Sequence, residues 1–158
     1  MSVEISDTDA AWQSIIEVAA RSDLFANQSG APIPEMQQRL GPGLIFRGSQ
    51  GGVSRRSAPA RAGWIYKATT TLVVQGEGPS PPVHFGPMFL DTRDGVLVYS
   101  SPVPVEALDV EQRIEFIVTA PAGAVAVRLR MVGGWASDLD SSRLRYTYGK
   151  AQLFRKIG

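Results

Sequence analysis

The chain has 158 residues, 44% of them hydrophobic and 20% charged, with a formal net charge of +1. This is the make-up of one folded domain with at most a small appendage. It has no cysteine and one histidine, His84, which excludes disulfide frameworks, thiol catalysis, thiolate zinc and a histidine-cluster metal site. The charge is zoned. Residues 1–38 carry Glu4, Asp7, Asp9, Glu17, Asp23 and Glu35 against Arg21, a net of −5. Residues 39–67 carry Arg39, Arg47, Arg55, Arg56, Arg61 and Lys67 and no acid, a net of +6. The remainder balances. The acidic start lacks the basic beginning and unbroken apolar core of a secretory signal, so cytoplasmic synthesis without signal-directed export is expected. No apolar run approaches the ~20 residues of a membrane span, so no membrane insertion is expected.

In chain order, Ser6-Asp7-Thr8-Asp9 offers helix N-cap oxygens. Trp12, Ile15, Ile16, Ala19 and Ala20 follow at the spacing of one amphipathic helical face. Gly30-Ala-Pro-Ile-Pro34 ends that helix, and 35–40 allows one short turn before Gly41-Pro42-Gly43. Residues 1–40 therefore read as a helical attachment segment and 41–158 as a β-sandwich domain. Leu44 to Arg47 is a possible early strand, and 48–63 reads as irregular or edge chain.

From Gly63 the pattern turns β-rich. Residues 63–75 form a long strand, and Gly76-Glu-Gly-Pro-Ser-Pro-Pro82 is a turn. A strand over 83–90 is interrupted at Gly86-Pro87. Asp91-Thr-Arg-Asp-Gly95 reads as a hairpin loop. Residues 112–119 and 124–131 alternate cleanly between apolar and polar, the mark of antiparallel strands with one wet face. Residues 133–142 form a loop, and 143–156 a final strand or pair with a break at Gly149. Short strands spaced by turns predict a mainly β fold, an antiparallel sandwich or jelly roll with a short N-terminal helical segment.

Three stretches carry a family resemblance over about 63–154: Gly63-Trp-Ile-Tyr-Lys-Ala68, then Phe89-Leu-Asp-Thr-Arg-Asp-Gly95, then Thr119-Ala-Pro-Ala-Gly-Ala124 leading into Val127-Arg-Leu-Arg-Met131. The chain resembles galactose-binding-domain-like jelly rolls, the carbohydrate-binding modules found beside bacterial glycosidases. Many of these hold a structural calcium with acids near the start and on the last strand. Here Gly149 and Lys150 stand where a paired acid is expected, so no metal and no cofactor is expected; Asp138 and Asp140 read as loop residues.

The resemblance implies a non-catalytic binder. Sugar sites use aromatic faces, with polar groups fixing orientation. The candidates for such a site are Trp135, Tyr146, Tyr148, Arg145 and Asp138. Trp135 follows Gly133-Gly134 in a polar loop, where it is either a platform or a lid over the sandwich end. Tyr146 and Tyr148 share a strand face with Leu144, which favours the core. No nucleophile elbow or phosphate loop is present, and His84 beside Phe85 reads as a packed or edge histidine.

A sugar-binding fold without an export signal resembles the spikes and fibres of phages and gene-transfer agents. The expected role is a particle-borne, host-attachment subunit that contacts cell-surface polysaccharide. Trp12, Ile15 and Ile16 would dock it to a capsid or to sister subunits in a homo-oligomer. A purely structural particle protein, a module of a glycosidase system and an unrecognised enzyme remain as alternatives. Nucleic acid is an unfavoured partner, because the basic zone has an acidic neighbour of nearly equal charge.

Overall fold

The computed structural model describes residues 11–25 and 44–157. Its strands are β1 (Trp12–Val18), β2 (Leu24–Phe25), β3 (Leu44–Arg47), β4 (Gly51–Ser54), β5 (Ala58–Pro59), β6 (Ile65–Gly76) and β7 (Val83–Leu90). They continue with β8 (Val96–Val98), β9 (Ser101–Val103), β10 (Gln112–Thr119), β11 (Ala126–Gly134), β12 (Leu144–Tyr148) and β13 (Ala151–Lys156). All pairings are antiparallel and make two sheets.

The first sheet is organised by β6. β10 runs along one edge of it, while β12 and β13 follow one another along the other. β3 flanks β12 and β1 flanks β13. In the second sheet β11 and β7 are central. β4 and β5 lie on the far edge of β11, β8 and β9 on the far edge of β7, and β2 beyond β4. The architecture is the expected antiparallel sandwich.

The core follows from period-two patterning. Along β6, Tyr66, Ala68, Thr70, Leu72 and Val74 are buried, and the residues between them sit on the outer face half-covered. Phe85, Phe89, Val127, Leu129 and Met131 meet them from the second sheet. The aromatics pack edge-on or tilted: Tyr66 lies 5.4 Å from Phe89, and Tyr148 lies 5.9 Å from both Phe46 and Phe85. These are separations at which ring quadrupoles attract.

The expected helix through Trp12 is instead strand β1. The ladder with β13 shifts register between Ser14 and Ile16, a bulge at Ile15. One extra residue reverses which face the following side chains take. Trp12 therefore lies on the outer face, with the Lys67 ammonium 4.8 Å from its ring, while Ile16 and Val18 enter the core. A bulged strand thus reproduces the i, i+4 spacing of a helix. It also corrects the docking assignment of Trp12, Ile15 and Ile16, which leave little apolar surface for a partner: Trp12 is covered on the outer face at 7% exposed, Ile16 is 2% exposed in the core and Ile15 packs on the core. The helix cap at Ser6 to Asp9 and the short turn at 35–40 lie outside the described residues.

Two further local readings hold and one does not. The hairpin loop closes with Asp94 at positive φ, and the Asp91 carboxylate accepts from the Arg93 and Gly95 amides. Gly149 breaks the last strand into β12 and β13, and its N–H donates to Thr71 at 2.9 Å. β7 is not interrupted at Gly86-Pro87, since its register with β11 runs straight through both residues.

Burial raises the pKa of Tyr66, Tyr146 and Tyr148. A raised folded pKa means stability that is complete below the unfolded tyrosine value of about 10 and is lost as pH climbs past it. The guanidinium midpoint is therefore expected to hold steady to about pH 9.5 and then fall, and to fall less steeply in Tyr148→Phe. A midpoint unchanged well above the unfolded value would contradict the three buried phenols.

Candidate functional site

The outer face of the second sheet is set by the alternation of its two central strands. Leu129, Met131, Val83 and Phe85 point inward and are fully buried, so Arg128, Arg130, Val132 and His84 point outward. At one end of this face Val53, Met88 and Leu90 form a small apolar cluster closed by Val96 and Ala126. The other end carries the polar and aromatic groups.

Trp135 follows directly on β11. A Cβ at Gly133 would run into the Gly48 carbonyl and the Tyr146 ring, and one at Gly134 into the Tyr146 hydroxyl and Pro81. The chain passes through that close packing only as Gly-Gly. Trp135 is the first side chain beyond it. Its N–H donates to the Pro82 carbonyl at 3.0 Å, and its side chain stands 57% exposed. The His84 imidazole lies 6.1 Å from the indole, tilted by 59°, with Nε2 3.3 Å from the Trp135 carbonyl.

Arg130 continues the row. In the register, Val132 faces His84 and Arg130 faces Gly86, so His84 and Arg130 are diagonal neighbours, about 7 Å apart in a regular ladder. Ser100 lies just before β9 on the far side of β7, and the Arg130 side chain reaches across to it. Its Nη1 donates to Ser100 Oγ at 3.0 Å, and its guanidinium lies 5.1 Å from the Tyr99 ring. Burial lowers the Arg130 pKa, while Tyr99 and Tyr148 act to raise it. Tyr99 is 50% exposed. Ring contacts and register thus order Trp135, His84, Arg130 and Tyr99, with exposed rings at both ends and nitrogen-bearing side chains between them.

Of the residues expected from the sequence, Trp135 stands exposed on this face. Tyr146 and Tyr148 do not join it. Both are fully buried in the core, with the Tyr146 hydroxyl 2.7 Å from Ser80 Oγ and the Tyr148 hydroxyl donating to the Val132 carbonyl at 2.7 Å. Their place in the candidate site is corrected, because inward-facing rings offer a ligand no surface. Arg145 lies between the inward-facing Leu144 and Tyr146 and so belongs to the outer face of the first sheet. There it borders an open depression of about 220 Å³ beside Arg47, Gln75 and Arg143. The structure therefore does not bring Arg145 together with Trp135. Asp138 is exposed in the loop that joins the two sheets.

In the same loop, the Asp140 carboxylate accepts from the Ser142 amide and hydroxyl, each at 2.9 Å. These bonds hold its pKa below the usual carboxylate value. Such a depressed acid contributes order above the unfolded value and loses it on acidification. Asp140→Asn is expected to speed amide exchange at Ser142 with little change in melting temperature; unchanged exchange would contradict this role.

Sequence reasoning missed Tyr99 and Arg130 as site residues. The usable signal was the strict alternation of 124–131, which already places Arg130 outward on a strand of central length.

Neither a protein-family model nor a curated protein matches the chain in sequence. Solved structures do match in fold. One is a Family 16 Carbohydrate Binding Module-2, at 11% identity and TM-score 0.51, covering 75% of this chain and 80% of that one. Another is the Clostridium thermocellum N-terminal endo-1,4-β-D-xylanase 10B, its CBM22-1 and GH10 modules complexed with xylohexaose. It matches at 16% identity and TM-score 0.50, over 94% of this chain and 26% of that one, so this chain spans about a quarter of its length. At these identities the likeness is one of fold alone, an antiparallel β-sandwich consistent with a jelly roll.

Proposed function

We propose that this protein is a non-catalytic carbohydrate-binding module that holds a polysaccharide across the outer face of the second sheet. The observation that carries this reading is Trp135, 57% exposed on a backbone pinned by Gly133-Gly134 and the Pro82 carbonyl. An exposed large aromatic costs apolar hydration that a ligand removes. The apolar C–H face of a sugar ring fits the flat indole, and the ring's hydroxyls need hydrogen-bonding partners beside it. His84 and Arg130 are placed to supply those, and Tyr99 offers a second ring farther along the face. Because β11 and β7 are paired on both edges, little ordering entropy remains to be lost on binding.

Glycoside hydrolysis uses two carboxyl groups flanking the scissile bond. The row is made of Trp135, His84, Arg130 and Tyr99, and none of these is a carboxylic acid. The neighbouring fold in carbohydrate-binding modules supports the same reading by analogy. The proposed setting is a particle-borne spike or fibre subunit, which co-sedimentation with a particle from the native source would check.

Affinity electrophoresis through gels that each contain one polysaccharide tests the proposal. Retardation by at least one polymer, with no release of reducing ends, is expected. Free migration in every gel, or polymer breakdown, would overturn it.

A further inference from the structure

We infer that the depression on the outer face of the first sheet is an anion site that takes the carboxylate or sulfate group of an acidic polysaccharide. The inference rests on the carbohydrate-binding proposal and adds a ligand class to it. β3, β12 and β6 are neighbours, and their registers put Arg47, Arg145 and Gln75 in one row across three strands. Arg143 approaches from the loop side. Gly76 ends β6 at a φ of +134°, and a Cβ there would run into the Arg143 carbonyl, so the backbone packs closely at this edge of the depression.

Three arginines border this space. Arg47 and Arg145 are direct cross-strand partners, an arrangement in which like charges destabilise the pair. Among the described residues, neither belongs to an ion pair. Arg143 lies 4.0 Å from Glu77, but both side chains are more than three-quarters exposed, so water screens that contact. Arg145 donates from Nη2 to Gln75 Oε1 at 2.7 Å, which fixes the guanidinium in the row. Its Nε is buried and has no acceptor. An oxyanion placed here sits between charges that repel one another. Arginine forks suit planar carboxylate and tetrahedral sulfate alike.

The size of the depression narrows the ligand further. At about 220 Å³ it is smaller than the roughly 300–1,000 Å³ that encloses a whole small molecule. It fits one charged substituent of a larger chain better than a free metabolite.

The test is affinity electrophoresis of the full chain at low salt. The gels contain polygalacturonate, its neutral methyl ester, dextran sulfate, neutral dextran or a single-stranded oligonucleotide. One variant is Arg47→Gln with Arg143→Gln, both exposed positions. Its control is Arg93→Gln with Lys150→Gln, which removes the same charge elsewhere. Retention by polygalacturonate or dextran sulfate is expected to be at least about tenfold stronger than by the matching neutral polymer. The pocket variant should lose that preference and the control should keep it. The carboxylate and sulfate arms identify which group is held.

Equal loss in both double variants overturns the inference, as does equal or stronger retention by the oligonucleotide. Retention by neutral polymers that Trp135→Ala abolishes, with no preference for acidic ones, also overturns it while leaving the carbohydrate proposal standing. Retention by no polymer overturns both.

Discussion

Replacing Trp135 with alanine is expected to raise the dissociation constant for a bound polysaccharide about 30-fold, which is about 2 kcal/mol. The melting temperature should stay within about 2 °C of the parent, because exposed substitutions usually change stability by less than ~0.5 kcal/mol. The two halves of this expectation have separate causes. The indole is 57% exposed, so its removal opens no cavity. Its backbone is held by Pro82 and by glycine packing against Gly48 and Tyr146, none of which the substitution touches. Trp135→Phe should restore part of the affinity, since a smaller flat face remains. Isothermal titration paired with thermal melts checks all three points. A large fall in melting temperature would assign Trp135 to a lid over the sandwich end, and unchanged affinity would remove it from the binding face.

The second large effect lies in the core. Tyr148→Ala is expected to cost ~3–5 kcal/mol, the usual loss for a large buried ring cut back to a methyl group. At ~2–4 °C per kcal/mol for a chain of this size, the melting temperature should fall roughly 6–20 °C. Tyr148 is fully buried, lies 5.9 Å from Phe46 on its own sheet and Phe85 on the other, and its hydroxyl caps the Val132 carbonyl. It joins the two sheets by packing and by a hydrogen bond. Tyr148→Phe keeps the packing and should cost ~1–2 kcal/mol, the share of the hydrogen bond and the orphaned carbonyl. A Tyr148→Ala chain as stable as the parent would return this residue to the surface, where the sugar-site reading had it.

The strands with strict alternation were legible from the residues alone, because a sheet with one wet face writes its orientation into every second position. β10 and β11 show this, and so does the Asp94-Gly95 turn. β1 was not legible. Its bulge at Ile15 turns Trp12 and Ile16 to opposite faces, and a one-dimensional pattern cannot separate that from a helical stripe. Tyr146 and Tyr148 were ambiguous because a period-two pair shows only that two side chains share a face. The third residue on that face, Leu144, pointed to the core, and the core is where they lie.

The sites depend on pairing between distant segments. Trp135 could be found locally from the Gly-Gly before it. Arg130 meets Ser100 and Tyr99 only because β7 pairs with both β11 and β9. Gln75 and Arg145 are 70 residues apart in the chain, and nothing in either neighbourhood announces the other. The charge zonation also changes meaning. The basic zone is spread over the sandwich: Arg47 borders the depression, Arg61 lies 5.8 Å from the Trp64 ring, and Lys67 sits 4.8 Å from Trp12 and 5.1 Å from Phe154.

Acrylamide quenching of tryptophan fluorescence, with and without a saturating polysaccharide, tests the binding face most directly. The chain has three tryptophans; Trp12 is buried, Trp64 partly buried and Trp135 exposed. Without ligand, Trp135 should dominate the accessible fraction. With ligand that fraction should be protected, and the protection should vanish in Trp135→Phe. Saturated binding with quenching unchanged would contradict a polysaccharide seated on Trp135.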